Sequence, residues 1–222
     1  KYIGVRSKSG ALYIDEIKID WDEEPAFKGY RSLADWVAAQ PATAQAVRKP
    51  ATVIYQNNDW LYMTDLRTNI LVHGDLGRSY SPGDIIPEGF AGTYTLYNDV
   101  PTMVPDASTF AASTAVAEKT PTAHYVELME LTTADVNRYV SIDGVSMTGS
   151  KKVYTATASD GSTIRVYDQF GLGLSAATDA ELEGFINIYQ GNLQFVPVKF
   201  TANPQREFTS SQRTITASKA NA

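Results

Sequence analysis

Cysteine is absent from all 222 residues, and only two histidines occur, His73 and His124. The first absence excludes disulfides, thiolate metal sites, a cysteine nucleophile and a lipid-bearing cysteine within this stretch. The second leaves too few imidazoles, in segments too far apart, for a histidine-based zinc site. Positive charge is also scarce: 19 Lys and Arg stand against 25 Asp and Glu, a net charge of −6. Such a chain has no general attraction for phosphate backbones or anionic membranes. No apolar run approaches the roughly 20 residues of a membrane-spanning helix. Catalytic signatures are missing too, with no Gly-x-Ser-x-Gly elbow and no phosphate-cradling glycine loop. Gly171-Leu172-Gly173-Leu174 carries two glycines but follows a predicted strand, so it reads as a loop. Nothing selects a pair of carboxylates for glycosidic chemistry, and the expectation is a protein that is not an enzyme and needs no cofactor or metal.

What the chain has is a repeat. Gly92-Thr93-Tyr94-Thr95-Leu96-Tyr97 is followed by Val104-Pro105, and Gly184-Phe185-Ile186-Asn187-Ile188-Tyr189 by Val196-Pro197. Gly, Tyr, Val and Pro recur at one offset of 92 positions. Upstream, Thr64-Asp65 and Ile70-Leu71-Val72-His73 are echoed by Ser159-Asp160 and Ile164-Arg165-Val166-Tyr167, at offsets of 95 and 94. The small changes in offset put length variation in the connecting loops, and the duplication implies two domain cores. Hydrophobic content of 43% with 11% aromatics is enough to pack both.

Short β-branched and aromatic runs bounded by turn residues dominate both units. The first unit predicts strands at Ala51–Gln56, Trp60–Thr64, Asn69–His73, Ile85–Leu96 and Val100–Val104. The second predicts Tyr139–Met147, Val153–Ala158, Thr163–Tyr167, Gly184–Tyr189 and Leu193–Phe200, with Gln190-Gly191-Asn192 as a hairpin turn. Five strands with a long link between the third and fourth are compatible with an OB-fold order. Ser32 followed by Asp35 and stopped by Pro41 predicts a short helix with Leu33, Trp36 and Val37 on one face. The N-terminal stretch through Ile19 reads as a β-hairpin, followed by an acidic linker (Asp20, Asp22, Glu23, Glu24) that lacks the spacing of a calcium loop. The fold class expected is all-β: two tandem five-stranded OB-like barrels with a short helix and an N-terminal β-hairpin. The division expected is hairpin and linker at 1–30, a first unit at 31–110, a linker at 111–130, a second unit at 131–205 and a polar tail at 206–222.

The first strand Thr52-Val53-Ile54-Tyr55, then Trp60-Leu61-Tyr62-Met63-Thr64-Asp65 with Ile70-Leu71-Val72, resembles tandem OB-fold-like domains of Bacteroidetes secreted and surface lipoproteins. Gly83-Asp84 opening the fourth strand, with Gly92 inside it, is similar to the same domains; no Gly-Asp pair precedes Gly184. Ala11-Leu12-Tyr13-Ile14-Asp15-Glu16-Ile17-Lys18-Ile19 resembles the last strand of a jelly-roll, galactose-binding-like domain. The resemblance implies a secreted or cell-surface-anchored protein of the bacterial outer envelope. It implies a binding or spacer role, with a glycan or another envelope protein as partner.

OB-like barrels bind along strands two and three. Alternation on Trp60–Thr64 sends Leu61 and Met63 inward and leaves Trp60 and Tyr62 outward, with His73 joining them from strand three. The second unit offers Arg165 and Tyr167 on strand three, and Tyr154 if the register of strand two slips by one. Trp60, Tyr62, His73, Tyr154, Arg165 and Tyr167 are therefore the candidate ligand-binding residues. Aromatic faces with neighbouring amides suit a sugar. The competing reading is that these aromatics cover a contact between domains. The rival function is single-stranded nucleic-acid binding, and charge argues against it. Residues 46–110 carry four basic against seven acidic side chains, and residues 122–205 five against nine. The recurring tyrosines Tyr97 and Tyr189, beside the hairpin turns, are expected to cap the barrel ends.

Overall fold

A computed structural model describes residues 29–204. The predicted N-terminal hairpin, its jelly-roll resemblance and the polar tail lie outside the described residues. Within them the protein is all-β, with one short helix.

The second unit is the simpler. Its strands are β10 (Tyr139–Ser150), β11 (Val153–Thr157), β12 (Thr163–Tyr167), β13 (Ala177–Tyr189) and β14 (Asn192–Ala202). They pair in the order β11-β12-β14-β13-β10, and β10 pairs back onto β11, which closes a five-stranded barrel. Closure depends on β10 serving two neighbours. Its register on β13 shifts between Ile142 and Val145, where Gly144 takes φ +69°, a conformation that favours glycine. The first part of β10 then runs along β13 and the last five residues along β11.

The first unit repeats this order without closing it. Its strands are β1 (Gly29–Tyr30), β2 (Gln45–Val47), β3 (Ala51–Asn57), β4 (Trp60–Thr64), β5 (Asn69–His73), β6 (Ile85–Ile86), β7 (Ala91–Tyr97) and β8 (Val100–Pro105). They form one open sheet, β1-β2-β7-β8-β5-β4-β3-β6. Of the two five-stranded OB-like barrels expected, the second unit is a closed barrel and the first a half-barrel sheet. The position of the long strand β10 is taken here by β2 and β3, separated at Arg48-Lys49-Pro50, and Pro50 has no N–H to continue a ladder. β2 pairs with β7 and β3 with β4, so no strand ladder bridges the gap. The predicted strand Ile85–Leu96 is likewise split into β6 and β7 around Pro87.

Helix α1 (Leu33–Ala39) forms as its caps dictate. The Ser32 hydroxyl accepts from the Asp35 N–H, and Gln40 ends the helix in the left-handed region. The buried Asp65 carboxylate accepts from the Leu33, Arg67 and Thr68 N–H groups, tying the helix start to the β4–β5 turn. Leu33 and Trp36 pack against Met63, Phe90 and Phe110 in the first core. Val140, Ile164, Val166, Ile186 and Phe195 build the second.

The 111–130 segment, expected as a linker, packs on both units. Ala115 and Ala117 exchange backbone bonds with Ile85 and Gly83. Strand β9 (His124–Tyr125) pairs with β10, and Val126 and Leu128 enter the second core.

A third cluster joins the units. Ile54, Tyr62, Leu71 and Val100 from the first meet Phe185 from the second. The rings of Tyr62 and Phe185 stack with centroids 3.5 Å apart and planes 7° from parallel. Asn137 donates from Nδ2 to the Pro101 carbonyl at 2.8 Å, and Tyr62 Oη lies 3.4 Å from the Asn187 side chain. Each large apolar side chain buried here contributes about 1.5–3 kcal/mol, enough to hold the two units in one arrangement.

Candidate functional site: a cleft between the units

The site is built by two equivalent hairpins and by the pairing of strands two and three. In the first unit Trp60 faces His73 across the β4–β5 ladder. The β7–β8 hairpin turns at Asn98-Asp99, both at positive φ (49° and 65°), so Tyr97 is the last residue paired before the turn. The β13–β14 hairpin turns at Gln190-Gly191 with φ of 51° and 76°, leaving Tyr189 in the same position. Two-residue turns of this kind match the twist of the strands they join and fix register. Tyr97 and Tyr189 remain 37% and 38% exposed. Both line one cleft of about 320 Å³ between the units.

Its first-unit wall is aromatic. The Trp60 ring is buttressed by His73, centroid to centroid 4.3 Å, and meets Tyr97 edge-on at 5.2 Å and 89°. Phe170, from the loop after β12, approaches Trp60 edge-on from the second unit at 6.2 Å. The opposite wall comes from β12, β13 and β14. Arg165 and Tyr167 alternate outward from β12, with Gln194 beside Arg165 in the parallel β12–β14 register. Arg165 donates from Nε to Gln194 Oε1 at 2.8 Å, and its guanidinium carbon sits 4.5 Å above the centre of the Tyr189 ring. Asn98, Gln169 and Asn187 add amide groups to the lining. Among the described residues the lining holds no carboxylate, histidine, serine or threonine; it offers aromatic faces, three tyrosine hydroxyls, amides and one guanidinium.

Of the six candidates, Trp60, Arg165 and Tyr167 come together in this cleft. His73 stands behind Trp60 and shapes the wall without lining it. Two candidates are corrected. Tyr62 points outward from β4 as alternation requires, but the second unit covers that face, and its ring is wholly buried. Burial drives its hydroxyl pKa far above the ordinary tyrosine value, against the smaller opposing effect of the Asn187 hydrogen bond. Tyr154 points into the second core and donates its hydroxyl to the Leu174 carbonyl at 2.5 Å. Thr155 takes the outward position, as the repeat offset indicates, so no register slip occurs. The candidates missed are Tyr97, Tyr189, Asn98, Asn187 and Gln194. Tyr97 and Tyr189 did carry a signal: a bulky aromatic recurring beside a hairpin turn, where packing demands none.

Among the described residues no three His, Asp or Glu side chains cluster to hold a metal, and no helix is long and apolar enough to cross a membrane. No protein-family model matches the chain, and no curated protein matches it.

Proposed function

We propose that this protein is a non-catalytic binding module, carried on the surface of a bacterium or secreted from it, whose inter-unit cleft takes a glycan. The observation that carries the reading is the composition of the cleft. Trp60, Tyr97 and Tyr189 present partly exposed aromatic rings, which suit the apolar faces of pyranose rings, and the accessible amides of Asn98 and Gln169 supply the donors and acceptors that hydroxyls need. The strand order of the closed barrel, with its third and fifth strands parallel, supports the OB-like reading of both units. The envelope location rests on the resemblance to Bacteroidetes surface lipoproteins. Fixing two units at a set angle also suits a spacer role within a larger protein.

Titration calorimetry against a panel of oligosaccharides tests the reading. Binding of at least one sugar, weakened about tenfold or more in Tyr189→Ala and Trp60→Ala, is the expected result. Tight binding of single-stranded DNA with a steep salt dependence would transfer the function to the nucleic-acid class. Absence of binding to every sugar tested would overturn the glycan reading.

A further inference from the structure

We infer that the cleft selects an acidic sugar, with a carboxylate or sulfate of the glycan seated on the Arg165 guanidinium; this rests on the glycan reading above. The chain carries six more acidic than basic side chains, yet among the described residues no Asp or Glu lines the cleft, and Arg165 is the one charged residue there. Arg165 is half-buried and has no carboxylate partner among the described residues. Elsewhere in the same barrel, Arg138 is paired with Asp135 and Lys199 with Glu183.

The guanidinium is also held in place. Its Nε–H is committed to Gln194 and one of its faces lies over Tyr189, so the Nη edge is the part left to receive a ligand. A guanidinium presents five N–H donors, and those on Nη form a fork that matches the two oxygens of a carboxylate or sulfate. An orientation fixed in advance lowers the ordering cost when the anion arrives. Trp60 and Tyr97 on the facing wall then lie where the ring bearing that anion can stack. One cation in an otherwise neutral cleft is too few for a polyanion tracked by its backbone, but it is sufficient for one acidic group per binding site.

The test is calorimetric titration of the whole protein at about 150 mM salt with four probes. These are an oligogalacturonate, its carboxyl-reduced neutral counterpart, a chondroitin sulfate oligosaccharide, and the same oligosaccharide after desulfation and carboxyl reduction. The expected result is binding of an acidic probe about 10- to 100-fold tighter than of its neutral counterpart. Arg165→Gln is expected to abolish that preference, and Arg165→Lys to restore only part of it, because an ammonium cannot make the forked contact. The melting temperature of both variants checks that the fold is kept; should Arg165→Gln fail to fold, the Lys variant and the probe pairs decide alone. Preference for the galacturonate over its reduced counterpart identifies a carboxylate; preference shown by the chondroitin sulfate pair and absent from the galacturonate pair identifies a sulfate. Equal binding of acidic and neutral probes, with Arg165→Gln unchanged, would overturn the acidic assignment and leave the glycan reading standing. Absence of binding to all four probes and to the wider neutral panel would bring down both.

Discussion

On the outer face of the first unit, Tyr62 and Leu71 are paired across β4 and β5, and both are fully buried against the second unit. Their counterparts on the second unit, Thr155 and Arg165, are paired in the same register across β11 and β12, and that face stays open. One half of the duplication has given its binding-type face to an internal interface, and the other has kept it. A shared scaffold therefore does not imply two equal sites. The cleft is a joint product: the closed barrel supplies the Arg165 guanidinium with Tyr167, Tyr189 and most of the amides, and the half-barrel supplies Trp60, Tyr97 and Asn98.

The sharpest way to break this comparison is at the repeated glycines. A Cβ on Gly184 would stand 2.7 Å from Pro197 Cα and from the Phe195 ring, and one on Gly92 would stand 2.6 Å from the Val104 carbonyl oxygen. Neither position requires an unusual φ; both need the absence of a side chain where the partner strand comes close. Gly184→Val is expected to cost about 4 kcal/mol or more, because its obstacles include backbone inside a closed barrel. Gly92→Val also meets backbone, at the Val104 oxygen, but is expected to cost less, about 2–3 kcal/mol, since that strand lies in an open sheet and Met103 is flexible. Urea denaturation measures both, and an equal or reversed order would refute the distinction between closed and open units.

The interface comes next. Phe185→Ala removes the ring that stacks on Tyr62, and a loss of about 3–4 kcal/mol is expected. Tyr62→Phe removes only the contact with Asn187 and should cost about 1 kcal/mol or less. If the units depend on this contact, Phe185→Ala also separates one unfolding transition into two; a small, single-step loss would deny the interface its role.

Alkali offers a third test. Tyr62 has its pKa raised by burial, and Tyr139 by burial together with its hydrogen bond to Glu183. A tyrosine whose folded pKa lies above the unfolded value of 10.0 contributes stability that is complete below that pH. That contribution declines as pH rises above it. Tyrosinate absorbance should show Tyr62 resisting ionisation until the interface opens, and ionisation of all tyrosines near pH 10 without unfolding would contradict it. The smallest effect is expected at Glu183. Burial raises its pKa, but the hydrogen bonds from Lys199 and Tyr139 outweigh this and leave it lowered. Its contribution is therefore present above the ordinary carboxylate range and lost as pH falls through the lowered value. Lys199 is largely exposed, so Glu183→Gln should cost well under 1 kcal/mol at neutral pH.

Much of the fold was legible because its causes are local. The strands at Trp60–Thr64, Asn69–His73 and Thr163–Tyr167 follow from alternation and turn residues, and α1 follows from its Ser32 cap. Pro105 ends β8, whereas Pro197 lies inside β14 beside a register shift opposite Glu183 and Gly184, where a missing N–H is tolerated. The site was legible only in part. Trp60 and Tyr62 occupy the same phase of one strand, and nothing local separates the one that lines a cleft from the one that is buried.

The amino-acid sequence by itself determined the duplication, the all-β class, the inward set of each strand and the outward position of Arg165, since these depend on neighbours within a few residues. Only the tertiary structure decided that one unit closes and the other does not, because closure depends on whether a long strand can bend at Gly144 or is interrupted at Pro50. It also decided that Tyr97 and Tyr189 line one cleft and that Arg165 has no carboxylate partner there among the described residues. Those are properties of two surfaces brought together over 90 or more residues of chain, and no local pattern encodes how two surfaces dock.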